Sequence, residues 1–327
     1  MGWPGPLLVM GAGAVGCYVG GCLQAAGAEV HFVGRPRVLD ALRSRGLTVT
    51  DLDGRRFTLP PPALQLHAEP PVGAALVLLC VKSAATAEAA RQLPANSLVL
   101  SLQNGVSNAE TAAAAAPGLR VLPGMVPFNV AELAPGHYHR GTAGELAAQD
   151  HPGLQPWCDG FAAAGLPLRL HADLKPVLWG KLLLNLNNPV NALSGLPLRA
   201  ELLDRDFRRV FAALQREALA VLQRAGIAPA QVTALPAQRL PTVLSLPNWL
   251  FERLARRMLR IDAQARSSMA DDLALGRRTE VDAFCGAVVR LARAHGTEAP
   301  LNARIAELVE TDPRPRSGKA LRAELGV

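Results

Sequence analysis

With 327 residues, half of them hydrophobic, the chain is long enough for two domains with buried cores. Aromatic residues make up only 4% while Ala, Leu and Val abound, which favours helices and close-packed parallel strands over an all-β sandwich. The net charge of +7 is scattered, with no Lys/Arg block interleaved with aromatics, so it speaks against a nucleic-acid partner and fits a mild positive field around anionic small molecules.

Along the chain, the apolar run Leu7 to Met10 predicts a strand that ends in the loop Gly11-Ala12-Gly13-Ala14-Val15-Gly16. A helix rich in small residues follows over Gly16–Ala26, then a second strand over Glu29–Val33, which together make a β-turn-α-β unit. Next come a helix over Arg37–Arg45, a β-excursion over Leu47–Leu59 around Asp53-Gly54, a strand over Ala75–Val81, a helix over Ala85–Gln92 and a strand over Ser97–Gln103. Uninterrupted apolar strands alternating with helices predict a buried, doubly wound parallel sheet of Rossmann type. From about 171 long helical patterns take over, at 173–195, 201–225, 248–274 and 279–295, so the fold class is an α/β Rossmann-type domain (1–170) followed by an all-α C-terminal domain (171–327). The odd number of cysteines, five, without a CxxC pair, argues against a disulfide framework or a zinc site, and no metal is expected. No signal-peptide pattern or stretch of ~18 apolar residues occurs, which predicts a cytoplasmic chain without a membrane partner. A homodimer fits the apolar helices of the second part as well as a buried core does.

The loop GAGAVG carries the first chemistry. In GxGxxG the first glycine permits a tight turn, the second lets the backbone approach a pyrophosphate, and the third allows close helix–strand packing. The phosphates then lie at a helix N-terminus, where free N–H groups and the dipole favour anions. The residue after the second strand discriminates between cofactors. An acid there would bind ribose hydroxyls, but the chain reads Gly34-Arg35-Pro36-Arg37, and a guanidinium suits a 2′-phosphate. The expected cofactor is therefore NADP(H) with Arg35 as the main contact, the alternative being that Arg35 is a solvated loop residue. Lys82 and Asn104 end two strands on the sheet's C-terminal edge, where open α/β sheets bind ligands, although Asn104-Gly105 also suits a plain turn.

Two segments of the helical part are unusual. In Trp179-Gly180-Lys181-Leu182-Leu183-Leu184-Asn185-Leu186-Asn187-Asn188-Pro189, the polar residues Lys181, Asn185 and Asn188 are spaced to share one helix face among leucines. Such groups cost desolvation unless they line a cavity or find partners. The second segment runs from Ser267-Ser268-Met269 to Thr279-Glu280-Val281-Asp282; taken alone, it reads as a polar helix face and a helix start.

Together with the glycine loop, Arg35, Lys82, Gln103-Asn104-Gly105 and Ala294-His295-Gly296, these segments resemble the ketopantoate reductase family, and the resemblance spans nearly the whole chain. It implies an active site in the cleft between a Rossmann domain and an all-α domain, and reduction of the small 2-oxo acid 2-dehydropantoate to pantoate by NADPH, a step toward coenzyme A. By the same resemblance Lys181 is the general acid, and Glu280 hydrogen-bonds the developing hydroxyl, helps hold the lysine and faces the cofactor. Asn185, Ser268 and Asn104 position the substrate, Asn104 also touching the cofactor, with Gly11, Ala12, Gly13, Ala14, Val15, Gly16, Arg35 and Lys82 as the remaining cofactor contacts. The family pattern places a second asparagine eight residues after the lysine, before a proline. Here Asn188 precedes Pro189 seven residues after Lys181, and the role is assigned to Asn188 with Asn187 and Asn191 as alternatives. The stretch 235–262 is longer than the family pattern and suits a reshaped pocket, so a reductase of another branched 2-oxo acid is the nearest alternative and a non-catalytic NADP(H) sensor a further one.

Overall fold

Residues 2–256, 259 and 264–327 are described in a computed structural model of the chain. By internal packing the chain divides at Leu174/Lys175. The strands of the first unit are β1 (Leu7–Met10), β2 (Val30–Val33), β3 (Leu47–Asp51), β4 (Arg56–Leu59), β5 (Gln65–His67), β6 (Leu76–Leu79), β7 (Leu98–Ser101), β8 (Arg120–Met125), β9 (Val130–Ala134), β10 (His137–Arg140), β11 (Leu146–Gln149) and β12 (Leu168–His171). Its helices are α1 (Ala14–Ala25), α2 (Pro36–Arg45), α3 (Thr86–Arg91), α4 (Asn108–Ala115) and α5 (Cys158–Ala163).

The main sheet has the order β12-β11-β8-β7-β6-β1-β2-β5. The six strands from β8 to β5 run parallel, as the apolar runs predict, and β1 and β6 are buried at every residue. β11 pairs antiparallel with β8, so it and its parallel neighbour β12 reverse the direction at that edge. The strand over Leu168–His171 belongs to this sheet and carries the first unit past residue 170. The order reverses between β1 and β6, the switch point at which open α/β sheets bind ligands.

The expected excursion over 47–59 is the antiparallel hairpin β3–β4, closed by Asp51 Oδ1, which accepts from the amides of Asp53 (3.0 Å) and Arg55 (2.9 Å). It belongs to a second sheet, β4-β3-β10-β9. Helix α1 lies between the two sheets, which explains its small residues. A Cβ on Gly20 would come within 2.5 Å of Phe32 on one side, and one on Gly21 within 2.9 Å of Val49 on the other. Arg140, buried on β10, pairs with Asp53 at 2.6 Å and Asp51 at 3.4 Å and lies 5.5 Å from the Phe128 ring, tying the hairpin to the core.

The second unit is helical: α6 (Lys175–Asn185), α7 (Asn187–Ser194), α8 (Leu198–Leu203), α9 (Arg205–Arg224), α10 (Leu240–Leu244), α11 (Asn248–Leu254), α12 (Ser268–Ala274), α13 (Ala287–Ala294), α14 (Pro300–Thr311) and α15 (Gly318–Leu325). Three of the long helices expected from periodicity are interrupted. The 173–195 pattern breaks at Leu186, where Pro189 cannot donate to the Asn185 carbonyl. The 201–225 pattern breaks at Asp204, whose side chain caps α9 by accepting from Asp206 N at 2.8 Å. The 248–274 pattern is two short helices, α11 and α12; residues 257, 258 and 260–263, and with them part of the long 235–262 stretch, lie outside the described residues. The pattern at 279–295 is a helix from Val281 whose turn Asp282–Gly286 is a π-helix; Arg290 covers the Asp282 carbonyl loosened there (2.9 Å).

Helix α9 forms the spine of this unit, burying Phe207, Val210, Phe211, Leu214, Ala218, Val221 and Leu222 at helical spacing. Arg208, also fully buried, donates to the carbonyls of Leu202 (2.8 Å), Leu244 (3.0 Å) and Leu246 (2.9 Å) and to Asn248 Oδ1 (2.8 Å), with its guanidinium 4.1 Å from the Phe251 ring centre. One side chain thus anchors the described part of the 235–262 stretch to the spine. No helix among the described residues is long and apolar enough to cross a membrane.

Candidate functional site

One group of candidate residues lies on the C-terminal edge of the parallel strands of the first unit. Gly11 and Ala12 donate to the Val33 carbonyl at 3.0 and 2.8 Å, which pins the glycine loop to the end of β2. Gly11 has φ +112°, a conformation closed to other residues at low cost, and a Cβ there would strike Val81 N at 2.6 Å. A Cβ on Gly16 would run into the Gly11 carbonyl oxygen and Val9. Gly13 is different: a Cβ on it would meet nothing within 4 Å, and α1 begins there without a side-chain cap. Its first-turn amides and dipole are thus left for an outside anion that the backbone can approach closely, so the loop fits a dinucleotide pyrophosphate.

Arg35 begins α2 as its N-cap, with Pro36 at the first helical position, and it is exposed. Arg37 pairs with Glu132 at 3.6 Å, whereas no carboxylate among the described residues pairs with Arg35. Lys82 is exposed after β6, and Asn104 is half-buried after β7 beside Gly105 at φ +100°. Sequence reasoning did not find the buried network that joins these two strand ends. Gln103 donates to Val81 O (2.9 Å) and Thr86 Oγ1 (2.7 Å) and accepts from Ser101 Oγ (3.0 Å). Thr86 donates in turn to Asn108 Oδ1 (3.1 Å), and Asn108 Nδ2 to Asn104 O (2.5 Å). The signal was a glutamine adjoining the strand-end asparagine.

A second group of candidate residues lies on α6, α7 and α12 of the second unit. Lys181 is half-buried on a helix whose neighbours Leu178, Leu182 and Leu183 are buried, and this burial pulls its ammonium from the ordinary 10.5 down to about 8. Asn185 lies one turn further on. The close approach of Ala230 O to Gly180 leaves no room for a side chain there, and Ala230 N donates to Pro176 O at 2.8 Å, so a loop presses α6 into place. At the break between α6 and α7, Gln215 of α9 donates to Leu183 O at 3.0 Å. Gln215 lies on the same stripe as Phe211, Ala218 and Leu222, a polar residue in an apolar face that could have singled it out.

Because of the break, Lys181, Asn185 and Asn188 do not share one continuous helix face. Asn187 is buried and donates to Glu201 Oε2 at 3.0 Å; Glu201 is itself fully buried, and burial pushes its carboxyl up to about 8, favouring the protonated form. Asn191 is fully buried between protein partners. Asn188, half-buried, is the one of the three not enclosed. The two serines divide: Ser267 is buried, caps α12 through Ala270 N (3.1 Å) and donates to Asn188 O (3.3 Å), while Ser268 is exposed. Glu280 is half-buried just before the helix starting at Val281. The glycine loop, Arg35, Lys82 and Asn104 thus fall on the first unit, and Lys181, Asn185, Asn188, Ser268 and Glu280 on the second.

Two family models match the chain: Ketopantoate reductase PanE/ApbA over residues 7–153 and Ketopantoate reductase PanE/ApbA C terminal over residues 173–311. A 2-dehydropantoate 2-reductase of Halobacterium salinarum is 31% identical over 321 residues, covering 94% of this chain and 99% of its own. The crystal structure of a PanE/ApbA family ketopantoate reductase from Ralstonia eutropha JMP134 is 29% identical with a TM-score of 0.78, covering 98% of this chain and 100% of that one. A D-mandelate dehydrogenase solved with NADH and anilino(oxo)acetate, 18% identical, shares the fold at a TM-score of 0.76, covering 98% of this chain and 100% of its own.

Proposed function

The chain belongs to the ketopantoate reductase family of oxidoreductases, and on that premise we propose that it reduces 2-dehydropantoate to pantoate with NADPH. The observation that carries this reading is Lys181, an ammonium held in a leucine-lined helix with its acidity raised toward neutrality. When bound, the nicotinamide supplies the hydride that adds to the carbonyl carbon. Lys181 donates a hydrogen bond to the carbonyl oxygen, stabilises the negative charge that develops there and passes it the proton, completing the hydroxyl. Glu280 accepts from that hydroxyl and keeps Lys181 in place. Asn185, Asn188 and Ser268 hold the substrate's polar groups, and Asn104 orients substrate and cofactor.

The amides at the start of α1 bind the pyrophosphate of the cofactor, and Lys82 adds positive charge near it. Arg35 supports NADPH over NADH, because β2 ends without an acid for the ribose hydroxyls and the guanidinium starting α2 suits a 2′-phosphate. The anchoring of residues 244–251 by Arg208 fixes the described part of the 235–262 stretch, and this favours, as a second reading, a different branched 2-oxo acid as the preferred substrate. Oxidation of NADPH with 2-dehydropantoate and a panel of other 2-oxo acids tests both. Turnover of 2-dehydropantoate at the highest kcat/KM is expected; preference for another member selects the second reading, and no turnover on any rejects both. Lys181→Ala should abolish turnover while NADPH still binds.

A further inference from the structure

We infer that Asn191 is a positioning residue for substrate, acting through the Ser267–Ser268 turn; this rests on the reductase reading above. Asn191 sits in the middle of α7, completely excluded from solvent, and both ends of its amide are used. Its Oδ1 accepts from the main-chain N–H of Ser267 at 2.9 Å, and its Nδ2 donates to Leu196 O at 3.0 Å. Ser267 extends the linkage in two directions. Its hydroxyl accepts from Ala270 N, fixing the first turn of α12, and donates to the main-chain carbonyl of Asn188. One buried amide therefore sets the register between the helix that carries Asn188 and the turn that presents Ser268, 76 residues away from Ser267's partner in the chain.

The chemistry requires an amide at this position. Aspartate would keep the acceptor for Ser267 N but would set a carboxylate oxygen against the Leu196 carbonyl, and alanine would leave a buried N–H and a buried carbonyl without partners. Ser268 itself makes the outward contact: it is exposed, whereas Ser267 and Asn191 are enclosed. Asn191 thus affects substrate without touching it.

The test is a double-mutant cycle on the full-length enzyme. Asn191→Ala and Ser268→Ala should each raise the KM for the 2-oxo acid about tenfold, and the double variant should also show about tenfold rather than a hundredfold, since both remove the same contact. NADPH affinity, followed by nucleotide fluorescence, should not change. A role in stability alone would leave the KM of folded Asn191→Ala at the wild-type value, and independent roles would make the two effects multiplicative. If Asn191→Ala does not fold, Ser267→Ala and Ser267→Thr replace it: the alanine should raise KM and the threonine, which keeps the hydroxyl, should restore it. Folded variants with wild-type KM, multiplicative effects, an equal loss of NADPH affinity, or failure of threonine to rescue would overturn the inference alone. Absence of turnover by the wild-type enzyme on every 2-oxo acid would overturn the reductase reading and this inference with it.

Discussion

Raising the pH from 7 to 9 should cost the enzyme about nine-tenths of its kcat/KM, because the proton donor is lost over that range. In the proposed mechanism the acid is the protonated form of Lys181, and burial pulls its ionisation from 10.5 to about 8. The sign follows: a lowered value moves deprotonation to lower pH, so activity is present below about 8 and falls as pH rises through it. By the titration relation the residue is about nine-tenths protonated at pH 7 and about one-tenth at pH 9, whereas an unshifted lysine would still be about 97% protonated at pH 9. The assay is the initial rate of NADPH oxidation at subsaturating 2-oxo acid across this range, with thermal unfolding followed at each pH. Lys181's own contribution to stability runs the other way. The folded chain binds that proton less tightly than the unfolded chain, so stability from this residue rises between about 8 and 10.5, and its titration cannot be mistaken for unfolding. Lys181→Arg, whose guanidinium stays charged, should lose rate through altered geometry but show no fall near 8. A wild-type profile flat to pH 10 would refute the assignment of the shifted lysine as the acid.

Arg35→Asp should weaken NADPH by about tenfold or more, the loss of a charge-assisted pair, and leave NADH nearly unaffected; equal losses in nucleotide titrations would remove Arg35 from 2′-phosphate recognition. Gly16→Ala puts a methyl group against the Gly11 carbonyl oxygen and within 2.8 Å of Val9 Cγ1, so denaturant unfolding should show a loss of about 1–3 kcal/mol together with weakened NADPH binding. Arg208→Leu leaves the carbonyls of Leu202, Leu244 and Leu246 buried without their donor, and the expected cost is about 3 kcal/mol or more in urea unfolding, with faster proteolytic cleavage around 244–248. A loss below about 1 kcal/mol would mean that the segment is anchored by other contacts.

What could be read from the chain alone was local. Periodicity and turn residues determined β1, the glycine loop, α1, the β3–β4 hairpin and the parallel runs of β6 and β7, because a strand buried on both faces must be apolar throughout and a phosphate loop must spare its side chains. The same local rules singled out Lys181 and its amides as polar groups out of place among leucines. Tertiary structure decided the rest. The helix carrying Lys181 ends at Asn185 because Pro189 has no donor for the Asn185 carbonyl, and at the same break Gln215, 32 residues on from Leu183, donates to the Leu183 carbonyl. Asn187 and Asn191 were indistinguishable from Asn188 in sequence, and only their buried partners, Glu201 and Ser267, remove them from the surface. Of the two adjacent serines, the fold buries one as a helix cap and exposes the other. Sequence pattern specifies which groups a segment carries; which of them remain available for chemistry depends on partners brought in from distant parts of the chain, because a buried polar group takes whatever hydrogen bond lies within reach.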